Sequence, residues 1–422
     1  MNANLASIMP QVIGVWCEEA GHSVSYVCYT GYEDLNAALP AETDIVFIGA
    51  FSETAQLAYA LSALYRQRGT VTVLGGPHAR CYPEDSVRYF DYVLGFTDQS
   101  IIDEVLRECA PHRPMGIALA APRQPLQLPG VRARWRFIKE TLDKAPAIKI
   151  VPMLASLGCP YTCSFCSFGK LPWRTRKIEE VLRELVWLKE TYSVQRILFF
   201  DDVLTLDQKR IEKLMQGMIT AKLDMEWVCC TRANNVSLEL LRLMKRAGCK
   251  EIAFGIESGS DQVLADTTKG VSKDQIRQAA KWCHQVGILF YGLAIIGLPG
   301  ETEQSVQDTI DFINEIEPFY SQFGFCTPFP NTDTYDFFKS KGLLKTEDWS
   351  QYFPLGERPV IRTEALDEAA LVRLRRKLYW SVLLKPGKLL RAVRPLDWRY
   401  NWMGIKKVAG RVGMLAKGGP LR

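Results

Sequence analysis

Three cysteines, Cys159, Cys163 and Cys166, stand at a C-x3-C-x2-C spacing inside the stretch SLGCPYTCSFCSFGK, Ser156 to Lys170. A C-x2-C turn can grip a metal ion, but zinc takes four ligands, commonly from two such pairs. No second C-x2-C and no His pair lies nearby, and the whole chain holds four His. Three thiolates instead suit a cubane of iron and sulfide, in which each Cys holds one iron and the fourth iron stays open to a substrate. The competing reading is three structural cysteines that fall at this spacing by chance.

The elements around this loop predict how it is positioned. From Ala147 onward, strands and helices alternate: strands over 149–156, 196–200, 226–231, 251–256, 289–296 and 322–327, with helices between them. Six such units predict an open (β/α)6 barrel, a partial form of the eight-fold barrel whose chemistry sits at the C-terminal strand ends. The polar clusters fall at those ends: the cysteine loop, Asp201-Asp202, Arg232, Glu257-Ser258-Gly259 and Gly297-Leu298-Pro299-Gly300. Ser272 with Gln275 forms a capping box opening the helix after the fourth strand.

A first alternation precedes it. Helices over 10–20, 54–68 and 99–109 interleave with strands over 24–29, 44–50, 71–74 and 91–94. This pattern predicts a parallel, doubly wound Rossmann-like sheet, with ligand loops beyond the carboxyl ends of its strands. Gly49 to Ser52 and Gly75 to His78 are placed there. The fold class is therefore α/β. The expected layout is a front domain over 1–110, a Pro-rich extended linker over 111–147, the barrel over 148–335 and a basic, mainly helical region over 336–422.

The cysteine spacing, with aromatic Phe165 before the last Cys, resembles the signature of the radical S-adenosylmethionine (radical SAM) superfamily. The resemblance covers roughly residues 148–330 and implies that Cys159, Cys163 and Cys166 hold a [4Fe-4S] cluster. Its open iron would chelate S-adenosylmethionine (SAM) and cleave it reductively to a 5′-deoxyadenosyl radical. By the same resemblance, Asp202 after strand two meets the SAM amino group. Arg232, whose fork suits a carboxylate, meets its other end. Glu257 and Ser258, in the GIESGS run, face the ribose, and Gly297 opens the GLPGET loop against the adenine. Residues 8–109 resemble the cobalamin-binding domain often fused in front of such barrels, through the AGHSV turn at Ala20–Val24 and the GGPH loop. This implies cobalamin contacts from Ser52, Gly75, Gly76 and His78. The D-x-H-x-x-G motif whose His would coordinate cobalt is absent, and only about nine residues precede Pro10, where that fold opens with a strand.

Composition limits the remaining classes. With 47% apolar and 23% charged residues the chain reads as a soluble globular protein. No run of 18 apolar residues suggests a membrane span, and the N-terminus does not read as a secretory signal. The expected location is the cytoplasm, where the 12 Cys serve as metal ligands or buried thiols. From Leu371 onward there are 14 Lys or Arg against the single acidic Asp397, so the rest of the chain is net acidic. This basic end, with Trp398, Tyr400 and Trp402, suits a membrane surface better than nucleic acid.

The function expected is a cobalamin-dependent methyltransferase acting on an unactivated carbon of a small molecule or lipid, with a reductant such as flavodoxin or ferredoxin. Two alternatives stand beside it. One is a radical cyclase, oxidation or rearrangement enzyme without functional cobalamin; the other is a non-catalytic iron-sulfur sensor. No catalytic hydrogen donor or acid/base residue is assigned.

Overall fold

The computed structural model describes residues 8–29, 31, 33–109, 116–144 and 150–383. The basic tail beyond Leu383, with Trp398 to Trp402, lies outside the described residues. The chain divides into two compact units. One takes in residues 1–157, 173–201 and 217–227; the other takes in residues 158–172, 202–216 and 228–422.

The front of the first unit is a four-stranded sheet in the order β1 (Ile45–Gly49), β2 (Val71–Gly75), β3 (Tyr92–Leu94) and β4 (Ile117–Leu119), parallel throughout. The apolar run of β2 is buried on both faces, because alternate residues point to opposite sides. Val71 and Val73 join Val12, Trp16, Tyr92, Leu94, Ile102 and Val105 in one core. Leu74 joins Ala50, Ala58, Ala79, Phe90 and Val93 in the other.

Two expectations are corrected here. Residues 24–29 form no strand. The sheet ends at β1, and these residues turn instead to the helix Val131–Lys144, with Tyr26 packed on Phe137 at 5.2 Å and Cys28 Sγ 3.4 Å from Thr141 Oγ1. Nor is 111–147 an extended linker throughout. Its described part holds β4 and that helix, whose Val131, Trp135, Phe137, Ile138 and Leu142 are buried on one face.

The later strands are β5 (Val151–Met153), β6 (Ser156–Leu157), β7 (Arg174–Thr175), β8 (Arg196–Phe199), β9 (Glu226–Thr231), β10 (Cys249–Glu257), β11 (Leu289–Ile296) and β12 (Tyr320–Phe325). Six of them form one sheet in the order β12-β11-β10-β9-β8-β5, the sequential order expected of strand-helix repeats. The pairs β5–β8, β10–β11 and β11–β12 are parallel. The helices Ile178–Tyr192, Gln208–Thr220, Leu238–Arg246, Lys273–Val286 and Glu303–Ile316 separate successive strands. The capping box at Ser272 and Gln275 forms as expected. β6 and β7 pair antiparallel as a short ribbon at the two ends of the cysteine loop.

Candidate active site

The cysteine loop closes on itself through its backbone. Leu171 N–H donates to Cys159 O at 3.0 Å, Lys170 N–H to Tyr161 O at 2.9 Å, and Cys166 N–H to Cys163 O at 3.1 Å. Gly158 has φ +88°, and a Cβ there would collide with Pro172 O, so this entry to the loop requires glycine. All three thiols are half-buried. Burial, then the neighbouring Cys163 and Cys159, push the Cys166 thiol up to about 11. Iron must therefore displace protons as it binds, as thiolate metal sites generally require. Among the described residues no three such side chains converge on a single ion. A cubane does not ask for that convergence, since each Cys takes its own iron; three half-buried thiols on one closed loop fit it.

The two aspartates after β8 have separate environments. Asp201 is buried and accepts Ala155 N–H at 3.0 Å and Ser156 Oγ–H at 2.5 Å, fixing the strand end. Asp202 is exposed and accepts Gly158 N–H at 3.1 Å, which ties it to the start of the cysteine loop. Arg232 is buried beside the loop. It donates to Cys163 Sγ at 3.5 Å and to Asn234 Oδ1 at 3.3 Å, and its guanidinium lies 3.5 Å over the Tyr161 ring. Tyr161 in turn donates to Asn235 Oδ1 at 2.9 Å. The cation is thus stacked and oriented before any ligand arrives.

Glu257 sits at the end of β10, at a register shift between Gly255 and Glu257, with φ +60°. Its carboxylate is paired with the ammonium of Lys269 at 2.5 Å, and both groups are buried. Ser258 is fully buried, with its Oγ 3.3 Å from Thr309 Oγ1 and accepting Ser260 N–H at 3.2 Å. Gly259 N–H also donates to Thr309 Oγ1, at 2.8 Å. A Cβ on Gly259 would come within 2.5 Å of Asp308 O, so the glycine lets this turn dock on the helix Glu303–Ile316. Gly297 has φ +89° and donates its N–H to the buried Glu301 carboxyl. Burial raises that carboxyl to about 8, against the lowering effect of the Gly297 and Leu298 N–H groups.

The second unit thus brings Cys163, Arg232 and Lys269 into a connected set, with Lys269 paired to Glu257 and Asp202 bound to the loop's first residue. Sequence reasoning missed Lys269 and the stack of Arg232 on Tyr161. Tyr161 lies within the cysteine motif and carried a signal; Lys269 lies in an irregular segment that carried none. Cys229 is buried and Cys230 exposed, the opposite facing that strand alternation dictates.

In the first unit, Gly75 closes β2 opposite Gly49. Gly76 has φ +94°, and a Cβ on it would lie 2.8 Å from Ala50 O. His78 is buried, with Nδ1 3.2 Å from Ser52 Oγ and Nε2 3.1 Å from the Tyr59 hydroxyl. Tyr59 donates to Asp85 at 2.9 Å. Burial lowers His78 to about 4, with Asp85 opposing. Ser52 and His78 are therefore bonded to one another, beside the backbone turn of Gly75 and Gly76.

Residues 153–313 match the family model of the Radical SAM superfamily. The chain is 29% identical to an uncharacterized methyltransferase of Pyrococcus horikoshii, over 83% of this chain and 81% of that protein. It is 26% identical to the bacteriochlorophyllide d C-12(1)-methyltransferase of Chlorobaculum tepidum, over 84% of this chain and 78% of that one. Among solved structures it resembles the radical S-adenosylmethionine methyltransferase TsrM of Kitasatospora setae, with cobalamin and a [4Fe-4S] cluster bound. That match has a TM-score of 0.58 and 15% identity, over 72% of this chain and 68% of that one.

Proposed function

We propose that the chain, a radical SAM enzyme whose residues 153–313 match the family model, is a cobalamin-dependent methyltransferase acting on an unactivated carbon of a small molecule or lipid. Its cofactors on this reading are a [4Fe-4S] cluster, SAM and cobalamin. The observation that carries the radical SAM part is the Arg232 guanidinium, which touches Cys163 Sγ, stacks on Tyr161 and belongs to the same connected set as Glu257. The methyltransferase part is supported by the similarity to methyltransferases over more than four-fifths of the chain.

When bound, the cluster supplies the electron that cleaves SAM, and the cofactors carry the hard chemistry. The protein's own residues bind and orient. Cys159, Cys163 and Cys166 hold the cluster. Arg232 takes the SAM carboxylate with a preorganised fork, and Asp202, the exposed member of its pair, takes the amino group. Glu257 is the contact for the ribose, with Ser258 shaping the turn, and the Gly297 loop lies against the adenine. Ser52, Gly75, Gly76 and His78 belong to the cobalamin side, where the fixed turn at Gly76 offers backbone groups to the corrin.

The partners proposed are the substrate and a small reductant protein such as flavodoxin or ferredoxin. No helix among the described residues is long and apolar enough to cross a membrane. A cytoplasmic enzyme that touches a membrane surface through its basic end is part of the same proposal. A second reading, radical cyclisation, oxidation or rearrangement without cobalamin, is favoured by one observation: residues 24–29 add no strand beside β1, whose residues stay half-exposed.

The test of the radical SAM reading is 5′-deoxyadenosine formation from SAM by the anaerobic, reduced protein, compared with Cys163→Ala. The wild type is expected to form it and the variant to form none. Equal product from both would overturn the reading.

A further inference from the structure

Lys269 follows Thr267 and Thr268 in the segment just after the short helix Asp261–Asp266. Its ammonium is buried and donates to Gly255 O at 2.7 Å as well as to the Glu257 carboxylate. A Cβ on Gly255 would collide with both that ammonium and Glu257 Oε1, so the glycine makes room for the pair. Glu257 itself is held at φ +60°, which L residues rarely adopt and which persists only where the surroundings over-determine it. At that backbone position the Glu257 carboxylate is held by its ion pair with Lys269.

The backbone of the same segment reaches the rest of the site. Thr267 O accepts Ser164 N–H at 2.9 Å, Thr268 Oγ1 donates to Thr162 O at 2.6 Å, and Lys269 O accepts from the Arg232 guanidinium. These three bonds do not involve the Lys269 side chain. A substitution there would therefore leave the attachment to the cysteine loop and to Arg232 in place, and would act on Glu257.

We propose that Lys269 is a positioning residue whose ammonium fixes the Glu257 carboxylate in the geometry that receives SAM. The inference rests on the reading that Glu257 contacts SAM. The test is the equilibrium affinity for SAM of the anaerobically reconstituted protein, in wild type, Lys269→Met, Glu257→Gln and the double variant, with iron per chain measured in each. K269M is expected to keep wild-type iron and to weaken SAM by about 10- to 100-fold, the cost typical of losing a group that orients a ligand. The double variant is expected to bind no worse than E257Q alone, because Lys269 acts through Glu257. Additive losses would overturn the inference, and so would wild-type affinity in K269M with weakened binding in E257Q. Wild-type affinity in both single variants would sink the reading of Glu257 itself. If K269M takes up no iron, Gly255→Ala displaces the pair from the other side and must show the same loss of SAM affinity. Wild-type affinity in G255A would then overturn the inference.

Discussion

The Arg232 guanidinium donates to Cys163 Sγ at 3.5 Å, so the residue proposed to take the SAM carboxylate touches the cysteine loop. A lysine at this position could supply charge but neither the planar fork nor the stack on Tyr161. Arg232→Lys is expected to keep its iron and to lose SAM affinity by roughly 10- to 100-fold, corresponding to the ~1.5–3 kcal/mol of a charge-assisted hydrogen bond. Binding titrations of the anaerobic protein check this, and wild-type affinity in the variant would contradict it.

His78 should make the first unit acid-sensitive. Burial holds its pKa at about 4 in the folded chain, against 6.5 for the ordinary group. Between those values the unfolded chain takes up a proton that the folded chain refuses, so stability falls as pH drops from about 6.5 to about 4. Thermal unfolding followed across that interval should show a shallower decline in His78→Gln than in the wild type. Identical declines would show that the ring does not titrate this way.

Glu301 should act with the opposite slope. Its folded pKa of about 8, against 4.5, means that the folded chain keeps a proton the unfolded chain has lost. Stability attributable to this group is complete below about 4.5 and is lost as pH rises through about 8. Glu301→Gln removes the titration while its amide oxygen can still accept Gly297 N–H. The variant is therefore expected to lose this part of the pH dependence, measured by thermal unfolding from mildly acidic to mildly alkaline buffer. An unchanged profile would contradict the assignment.

A structural prediction concerns the turn that carries the GGPH loop. Gly76 stands at φ +94°, with Ala50 O where a Cβ would go. Gly76→Ala combines left-handed strain with a backbone collision, and is expected to cost about 1–3 kcal/mol. Thermal unfolding and iron content together should show a destabilised first unit with the cluster retained.

The placement of much of the candidate site could be read from the sequence because it follows strand ends. The cysteine loop, Asp202, Arg232, Glu257 and Gly297 each come directly after an apolar run, and those runs fold as strands of one sequentially ordered sheet. Lys269 could not be read that way. It reaches Glu257 from an irregular segment, and nothing in local periodicity announces a contact made across a loop. Residues 24–29 had the apolar pattern of a strand, but Tyr26 and Cys28 face the helix Val131–Lys144 instead of pairing along the edge of β1. The helix Val131–Lys144 was obscured by Pro111, Pro114, Pro122, Pro125 and Pro129, all of which precede it. Its own buried face was present in the sequence. The partnership of His78 with Ser52 and Tyr59 depends on side-chain packing between separate elements, which strand-end placement does not specify.

Cobalamin is the cofactor on which the proposed methyl transfer depends. The most direct test of the proposal is the corrinoid retained after anaerobic purification with hydroxocobalamin supplied, read by visible absorption against protein concentration and iron content. The account predicts close to one corrinoid per chain. Protein that keeps its iron and retains no corrinoid would contradict methyl transfer and turn the proposal to cyclisation, oxidation or rearrangement.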